Sequence, residues 1–415
     1  MIQLSNSCLK TSAQTGVDVA ITYAWNRVAY NVLRNLSSHG LQVAVGDAHN
    51  LAMAKKSKFC QCSFNYPCFY DNPKMFIDHL KDIFKLLKPK VYLPLHEETF
   101  IVAKYIDEFK DLNVTIPVHD FATLRAVHKK DSFVEIARSL ELPVPKTFKP
   151  KNLSELRDIW QQLHQVGKVV IKSINSNSSK GIYYATSFEK LSVIYQKLVY
   201  ENKLDAEQYP IIQEYVSGAG YGVSMLFNHG QLRAKFTHKR LRAKISTGGT
   251  STKRISTKNS VIENYAEKLL ASLNWHGVAM VEFIVNETTG QAWLIEVNPR
   301  FWGSLALAIQ SGVDFPYLLY RMAVDGDVAP VLEYNEGVVT RWLLGDMLAT
   351  ISSLKAEKSL RPLCAFFDFR HEKYDDLYWD DLWPFFIQGA YYLNKFIRTA
   401  SLNPTEKALL DIDKI

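Results

Sequence analysis

The sequence has no long hydrophobic run. Its 415 residues are 47% hydrophobic and 22% charged, but no apolar segment reaches the roughly 20 residues that a membrane-spanning helix needs. The opening residues, MIQLSNSCLKTSAQTG, are polar and lack the apolar core of a secretory signal. We therefore expect a cytoplasmic protein without a membrane partner.

Cysteine is scarce, with Cys8, Cys60, Cys62, Cys68 and Cys364 as the full set. An odd number in a chain of this length argues against a disulfide framework. The three central cysteines are close in sequence, but no fourth ligand follows them at zinc spacing. We expect structural or incidental thiols.

Several functional motifs are missing. No G-x-G-x-x-G follows the first predicted strand, and neither a P-loop nor a G-x-S-x-G sequence occurs. The formal charge of +7 favours an anionic small-molecule ligand. Since there is no long Lys/Arg run and no zinc-finger spacing, we expect no nucleic-acid partner.

The first part of the chain alternates strands with helices. Apolar strands are predicted at 17–23, 41–47 and 90–95. This alternation indicates a parallel, Rossmann-like sheet. Glu97 and Glu98, which follow the third strand, are interpreted as solvated acids at a helix start.

Hairpins and then helices follow. Residues 221–236 predict a hairpin that turns at Asn228-His229-Gly230. Residues from about 331 onward are helical and aromatic. Their acidic segment, Tyr374 to Trp383, either packs against the rest of the protein or binds a cationic acceptor.

The stretch WLIEVNPRFWGS places Glu296, Asn298 and Arg300 at alternate positions where a strand ends. Alternate residues of a strand share one face. A second strand, ending at Val285, precedes this one and carries Glu282.

The register of this hairpin decides whether the acids meet. If Val285 pairs with Gln291, Glu282 lies opposite Leu294 and shares a face with Glu296 and Asn298. Two carboxylates and an amide oxygen suit Mg²⁺, with Mn²⁺ as an alternative. The competing interpretation is a solvated polar face.

Six motifs, in order, resemble the ATP-grasp superfamily, and most closely the carboxylate–amine ligases related to the carbamoyl-phosphate synthase large chain. The motifs lie at 129–147, 168–182, 211–221, 238–252, 277–283 and 294–316. The resemblance implies an α/β chain with an α+β ATP-grasp fold of two lobes with antiparallel sheets. It also implies a Rossmann-like domain at 1–118, an ATP-grasp domain at 119–330 with its small lobe at about 144–215, and a helical extension at 331–415.

The resemblance also assigns a nucleotide site. Lys130 and Lys172 would contact ATP phosphates. Ser179 and Gly181 would contribute through a loop that alone could equally be a surface turn. In the adenine clamp, Glu214 and Val216 would bind the base through their backbone.

By the same resemblance, Glu282, Glu296 and Asn298 would hold one or two Mg²⁺ ions, and Arg300 would stabilise the transferred phosphoryl group. Gly220 departs from the family pattern, because an acid that binds ribose is usual there. The loop is also poor in glycine, with serines where glycines are common.

The implied reaction joins a carboxylate, such as that of an amino acid, to an amine. An acyl phosphate is the intermediate, and ADP and phosphate are released. Arg240 and Arg242 would hold the substrate carboxylate, with Arg240 also catalytic, while Gly248 and Gly249 let a loop close. A solvated basic edge strand is the competing interpretation of the arginines.

Other readings remain open. One is a carboxylase that uses bicarbonate, and another is a non-catalytic nucleotide-binding module. A homodimer is the default expectation for the assembly.

Overall fold

A computed structural model describes residues 16–163, 167–174, 181–245, 248–357, 360–367, 372–399, 410, 412, 413 and 415. The N-terminal unit contains four parallel strands. These are β1 (Val19–Ile21), β2 (Val43–Asp47), β3 (Cys62–Asn65) and β4 (Val91–Leu93). Their order is β3-β2-β1-β4, which confirms the predicted parallel sheet. The short edge strand β3 was not predicted.

From residue 16 onward, three helices accompany this sheet: α1 (Arg27–Ser38), α2 (Pro73–Leu87) and α3 (Glu98–Lys104). The side chain of Asn26 caps α1 by accepting from the N–H groups of the next turn. Cys60, Cys68 and Cys364 are free thiols. Cys62 is disulfide-bonded, which corrects the expectation of thiols throughout.

Two helices, α4 (Phe121–His128) and α5 (Lys130–Ser139), lead into a small lobe. Its four-stranded antiparallel sheet has the order β5-β8-β6-β7. The strands are β5 (Thr147–Phe148), β6 (Val169–Lys172), β7 (Ile182–Ala185) and β8 (Ile211–Glu214). Helices α6 (Leu156–Leu163) and α7 (Phe188–Glu201) close a separate apolar cluster over this sheet.

A seven-stranded sheet forms the large lobe. Its strands are β9 (Ala219–Asn228), β10 (Gln231–Ile245), β11 (Gly248–Ser256), β12 (Gly277–Val285), β13 (Ala292–Asn298), β14 (Val339–Arg341) and β15 (Glu372–Tyr374). Their order is β13-β12-β9-β10-β11-β14-β15. The predicted hairpin is confirmed, and its turn consists of His229 and Gly230, which both have positive φ.

Six helices follow in the described part of the chain. They are α8 (Ser260–Ser272), α9 (Leu305–Gln310), α10 (Phe315–Asp325), α11 (Leu343–Glu357), α12 (Arg361–Phe366) and α13 (Trp383–Thr399). The predicted helical character of the C-terminal segment is confirmed, although β14 and β15 also extend the large sheet. The domain boundaries near 118 and 330 stay predictions. Within the described ranges, no helix has both the length and the apolar character needed to cross a bilayer.

The acidic-aromatic segment packs against the N-terminal unit. Asp375 and Asp381 are buried. Asp375 pairs with Arg27 at 3.3 Å, and Asp381 accepts a hydrogen bond from the Tyr30 hydroxyl at 3.2 Å. These contacts support the packing interpretation of the segment.

Candidate functional site

The β12–β13 hairpin brings two carboxylates directly opposite one another. Val285 pairs with Ala292, and Glu282 pairs with Glu296. The predicted register, with Glu282 opposite Leu294, is therefore wrong. A bulge at Ile295 adds one residue to β13 and sets Glu296 against Glu282.

Asn298 joins the two acids on this face. Its Nδ2 donates to Glu282 Oε1 at 3.0 Å, and its Oδ1 accepts from Arg300 Nη2 at 3.2 Å. Arg300 also donates to the carbonyl of Phe301 at 2.9 Å. The prediction that Glu282, Glu296 and Asn298 share one face is thus confirmed by contact, while their roles stay predictions.

Glu282 experiences opposing electrostatic effects. Burial raises the pKa of its carboxyl above the ordinary value, and the adjacent negative charge of Glu296 acts in the same direction. Arg240 counters both, because its Nη2 lies 2.5 Å from Glu282 Oε2. Two facing carboxylates at a buried site are stabilised when a cation binds between them.

Two buried lysines face these acids from different parts of the fold. Lys130 begins α5 and Lys172 ends β6, and they are 6% and 7% exposed. Burial lowers the pKa of both, that of Lys172 to about 8, while the charge of Glu296 acts to raise each one. The structure therefore brings both predicted lysines to the acids.

A cavity lies beside this cluster, between the N-terminal unit and the large lobe. Its lining residues are Glu97, Phe100, Val127, His128, Lys130, Phe133, Glu296, Val297, Asn298, Pro299 and Arg300. The site is therefore built from both units, not from the hairpin alone.

Glu97 is a cavity residue that the sequence interpretation missed. It is only 3% exposed, and Glu98 is fully buried, so the prediction of solvated acids is wrong. The hydroxyl of Tyr70 donates to Glu97 Oε2 at 2.9 Å. The position of Glu97 just beyond β4 could have indicated a site residue, because ligand sites of parallel sheets lie at the carboxyl ends of the strands.

His128 is a second missed residue. Burial, together with the positive charges of Lys130 and Arg300, lowers the pKa of its imidazole to about 3. His128 is therefore neutral at physiological pH and presents a polar but uncharged ring to the cavity.

The two predicted substrate arginines diverge. Arg240 reaches Glu282, whereas Arg242 Nη1 lies 2.5 Å from the buried Asp346 Oδ2 on α11. The structure thus brings only Arg240 to the acids. The absence of a side chain at Gly220 leaves room for the Arg240 side chain, because a Cβ there would lie 3.0 Å from Arg240 Cδ. An acid at position 220 would need this arginine to move.

The remaining predicted contacts lie in the small lobe. The Lys146 N–H donates to Glu214 Oε1 at 2.7 Å, and the Glu214 N–H donates to the Lys146 carbonyl at 2.9 Å. Val216 follows β8. The Glu214 side chain is thus held by the backbone of Lys146, next to β5, and base recognition by the backbone of Glu214 and Val216 stays a prediction.

The two predicted loops are described in part. Gly181 has φ 72°, and its carbonyl accepts a hydrogen bond from the Ser173 N–H at 2.9 Å. Ser179 lies outside the described residues. Gly248 pairs with Ile245 at the start of β11, and Gly249 follows it in the same strand.

Two buried arginines support the segment after Arg300. Arg27 Nη2 and Arg254 Nη1 both donate to the carbonyl of Gly303, at 3.0 and 2.8 Å. They come from α1 and β11. Neither was predicted, because contacts between distant segments leave no local pattern.

Comparison with solved structures shows the same fold in carboxylases and related enzymes. The chain is similar to the biotin carboxylase domain dimer of 2-oxoglutarate carboxylase from Hydrogenobacter thermophilus, in complex with MgADP, ADP and bicarbonate. That match has 13% identity, covers 79% of this chain and 74% of that chain, and has a TM-score of 0.64. A second similar structure is N5-carboxyaminoimidazole synthetase from Staphylococcus aureus complexed with ADP. It has 15% identity, covers 82% of this chain and 86% of that chain, and has a TM-score of 0.62.

A third similar structure is biotin carboxylase from Campylobacter jejuni in a β,γ-ATP complex, with 13% identity, coverage of 78% and 74%, and a TM-score of 0.63. No curated protein matches the chain by sequence. Residues 127–304 match the family model of an ATP-grasp domain. These residues contain the lysines, the facing acids and Arg300, so the match identifies an ATP-grasp domain within the chain.

Proposed function

We propose that the protein is an ATP-dependent ligase that joins a carboxylate to an amine through an acyl phosphate. The observation that carries this proposal is that Lys130 and Lys172 both interact electrostatically with Glu296, which faces Glu282 across the hairpin. Phosphoryl transfer is catalysed mainly by positioning and charge neutralisation, and this cluster offers both.

The residues fit a nucleotide bound with magnesium. Glu282, Glu296 and Asn298 supply oxygen atoms on one face, of the kind that Mg²⁺ prefers. Among the described residues, no group of three or more His, Cys, Asp or Glu side chains could hold a metal. Phosphate oxygens and water would therefore complete the shell. When bound, Mg²⁺ supplies neutralisation of phosphate charge.

Three cationic side chains of the site interact with phosphate groups in this proposal. Lys172, on the small lobe, and Lys130, on α5, bind phosphate oxygens of ATP. Arg300 releases its bond to Asn298 and stabilises the negative charge of the transferred group. The lysines hold their protons more firmly once an anion arrives, because opposite charge favours the protonated form.

The reaction then follows in two steps. An oxygen of the substrate carboxylate attacks the γ-phosphorus, and the bond to ADP breaks, which gives an acyl phosphate and ADP. The bound ammonium first loses a proton to solvent, and the neutral amine then attacks the acyl carbon. Phosphate leaves with the bonding electrons, and the nitrogen loses a second proton to solvent. No side chain forms a covalent intermediate.

The cavity between the units is the proposed substrate site. Glu97 and Lys130 both line it, and Arg240 is paired with Glu282. We assign Glu97 to the cationic form of the incoming amine and Arg240 to the carboxylate, since each carries the complementary charge. Arg242 takes no part in this assignment.

A carboxylase that uses bicarbonate is the second candidate. Two of the similar structures are a biotin carboxylase domain and a biotin carboxylase, and the first was solved with bicarbonate. Their low sequence identity supports the shared fold alone, so the acceptor has to be found by experiment.

The test is a screen for phosphate release with MgATP. Carboxylates are paired with amines, and bicarbonate is paired with the same amines. We expect release that requires both an organic carboxylate and an amine, and its loss in Glu296→Gln. Glu287→Gln is the matched control, because Glu287 lies on the same hairpin in an exposed pair with Lys239.

Three results would count against the proposal. Release driven by bicarbonate without a carboxylate would favour the carboxylase. Nucleotide binding without any release would favour a binding module. Full activity in Glu296→Gln would show that the facing acids are not the metal site.

A further inference from the structure

The outer side of α13 is apolar and exposed to solvent. Trp383, Phe386, Leu393 and Ile397 expose 69%, 60%, 59% and 73% of their surfaces. With the exposed Ala390 they follow spacings of three and four residues, which places all five on one side of the helix. We refer to these five residues as the α13 stripe.

The opposite side of the same helix packs against the protein. Gln388 is 2% exposed, the Tyr391 ring stacks on Trp25 at 5.1 Å, and the Tyr392 ring lies 6.3 Å from that of Trp342. These contacts fix the orientation of α13, so that the stripe points away from the body of its own chain.

We propose that the α13 stripe is the contact surface between two copies of this chain, with the two α13 helices antiparallel. A two-fold axis makes such a contact self-complementary. In this arrangement Trp383 faces Leu393 of the second copy, and Phe386 faces Ala390. A large side chain meets a smaller one at each level, which allows close packing.

Charge favours the antiparallel direction. Asp380 lies just before the stripe, with its side chain 47% exposed, and Arg398 lies in the last turn of α13. Antiparallel helices bring these opposite charges together, whereas parallel helices would pair like with like. Since Asp380 already binds Arg34 and Lys58 in its own chain, the effect concerns orientation more than affinity.

The exposed area suits a reversible dimer. An aromatic side chain can bury about 150–250 Å², so Trp383 and Phe386, at 69% and 60% exposure, offer on the order of 250 Å² together. The two aliphatic residues add a similar area. A dimer would then bury on the order of 1,000 Å² in total, near the lower limit of about 1,200 Å² for specific interfaces. A contact of this size is typical of weak, transient association.

Sedimentation velocity of the full chain, over roughly 1 to 100 µM, tests the proposal. The expected result is a shift from monomer to dimer with concentration. Phe386→Asp and Leu393→Asp should remain monomeric throughout. Val193→Asp is the matched control, because Val193 is 67% exposed on α7, outside the stripe, and this variant should dimerise normally.

Cysteine cross-linking tests the direction. In a Cys364→Ser background, which removes an exposed thiol, the double variant Phe386→Cys/Ala390→Cys should form covalent dimers under mild oxidation. Phe386→Cys alone should not, because position 386 faces position 390 in the antiparallel pair. Efficient cross-linking of the single variant would indicate parallel helices and overturn the arrangement.

Two outcomes would contradict the proposal that the α13 stripe is the contact between two copies of the chain. One is a monomer at every concentration. The other is a monomer that co-sediments with phosphatidylcholine–phosphatidylserine vesicles and loses this binding in Phe386→Asp, which would assign the stripe to a membrane surface. Unchanged urea unfolding of the variants would show that either result reflects the stripe and not misfolding.

Discussion

The buried surroundings of Lys172 and Lys130 determine the pKa values of their side chains. A lysine is normally charged well above neutral pH, but burial lowers the pKa of both side chains. Glu296 offsets only part of this effect. In the free protein these lysines therefore lose their protons more readily than exposed lysines do. A bound phosphate would raise their pKa again, because its negative charge favours the protonated form. Binding of an anion is therefore coupled to proton uptake.

Nucleotide affinity should fall as the pH rises through about 8. Lys172 has a pKa lowered from 10.5 to about 8, so the free protein loses this charge in a range where an exposed lysine keeps it. Above the pKa, the dissociation constant for MgADP should rise by up to about tenfold per pH unit, because a proton must be taken up. Calorimetry in buffers of different ionisation enthalpy measures both affinity and proton uptake.

A matched pair of variants identifies the group. Lys172→Arg keeps its charge across this range and should show little dependence on pH. Lys190→Arg, on the surface of α7, should retain the dependence of the natural protein. A dissociation constant of the natural protein that stays flat up to about pH 9.5 would contradict this coupling.

At the scale of elements, the β12–β13 hairpin shows what a local pattern can and cannot predict. The alternation of Glu296, Asn298 and Arg300 is visible in the sequence because a strand has a period of two. The turn, however, pairs Val285 with Ala292, and this register alone would place Glu282 opposite Ile295. The bulge at Ile295 restores the facing acids.

The bulge could not be predicted because isoleucine is a strong strand former and gives no sign of irregularity. Glu97 escaped prediction for a different reason. Its local sequence is that of an acid at a helix start, and its burial comes from packing between units that are distant in sequence. The strands, helices and order of motifs are local properties, so the fold was predictable to a greater extent than the site.

Gly222 illustrates how tightly the central strand is packed at this point. It lies on β9 between His238 of β10 and Glu282 of β12. A Cβ at this position would come within 2.4 Å of His238 Cε1 and 3.1 Å of Met280 Sδ. The absence of a side chain thus permits the buried histidine to lie beside the acids.

Gly222→Ala should lower the free energy of unfolding by about 1–3 kcal/mol, because an overpacked site forces its neighbours to shift. Urea unfolding measures the change. Gly389→Ala is the opposite control, since Gly389 lies within α13 with no atom within 4 Å of the added Cβ. It should raise the free energy of unfolding by about 0.5–1 kcal/mol through helix propensity. Equal effects of the two substitutions would refute the packing argument.

At the scale of the whole molecule, one buried carboxylate connects three parts of the chain. Asp375, before the last helix, pairs with Arg27 of the N-terminal unit and with Arg254 of the large sheet. Both arginines also bind the Gly303 carbonyl, just after Arg300. The C-terminal segment therefore helps to hold the segment that carries the site.

Asp375→Ala should lower the free energy of unfolding by about 3–5 kcal/mol, because it removes the carboxylate that is paired with two buried arginines. Asp380→Ala is the matched control. Asp380 pairs with Arg34 and Lys58 at the surface, and exposed pairs contribute about 0–1 kcal/mol.

The same pair of variants tests whether Asp375 acts on the site. If the arginines position Gly303, Asp375→Ala should also weaken MgADP binding under conditions where the variant is still folded, as checked by circular dichroism. Asp380→Ala should bind MgADP normally. A folded Asp375→Ala protein with unchanged affinity would show that the ion pairs stabilise the junction of the three parts without positioning the site, because the loop after Arg300 would then keep its geometry from the hydrogen bonds of the large lobe alone.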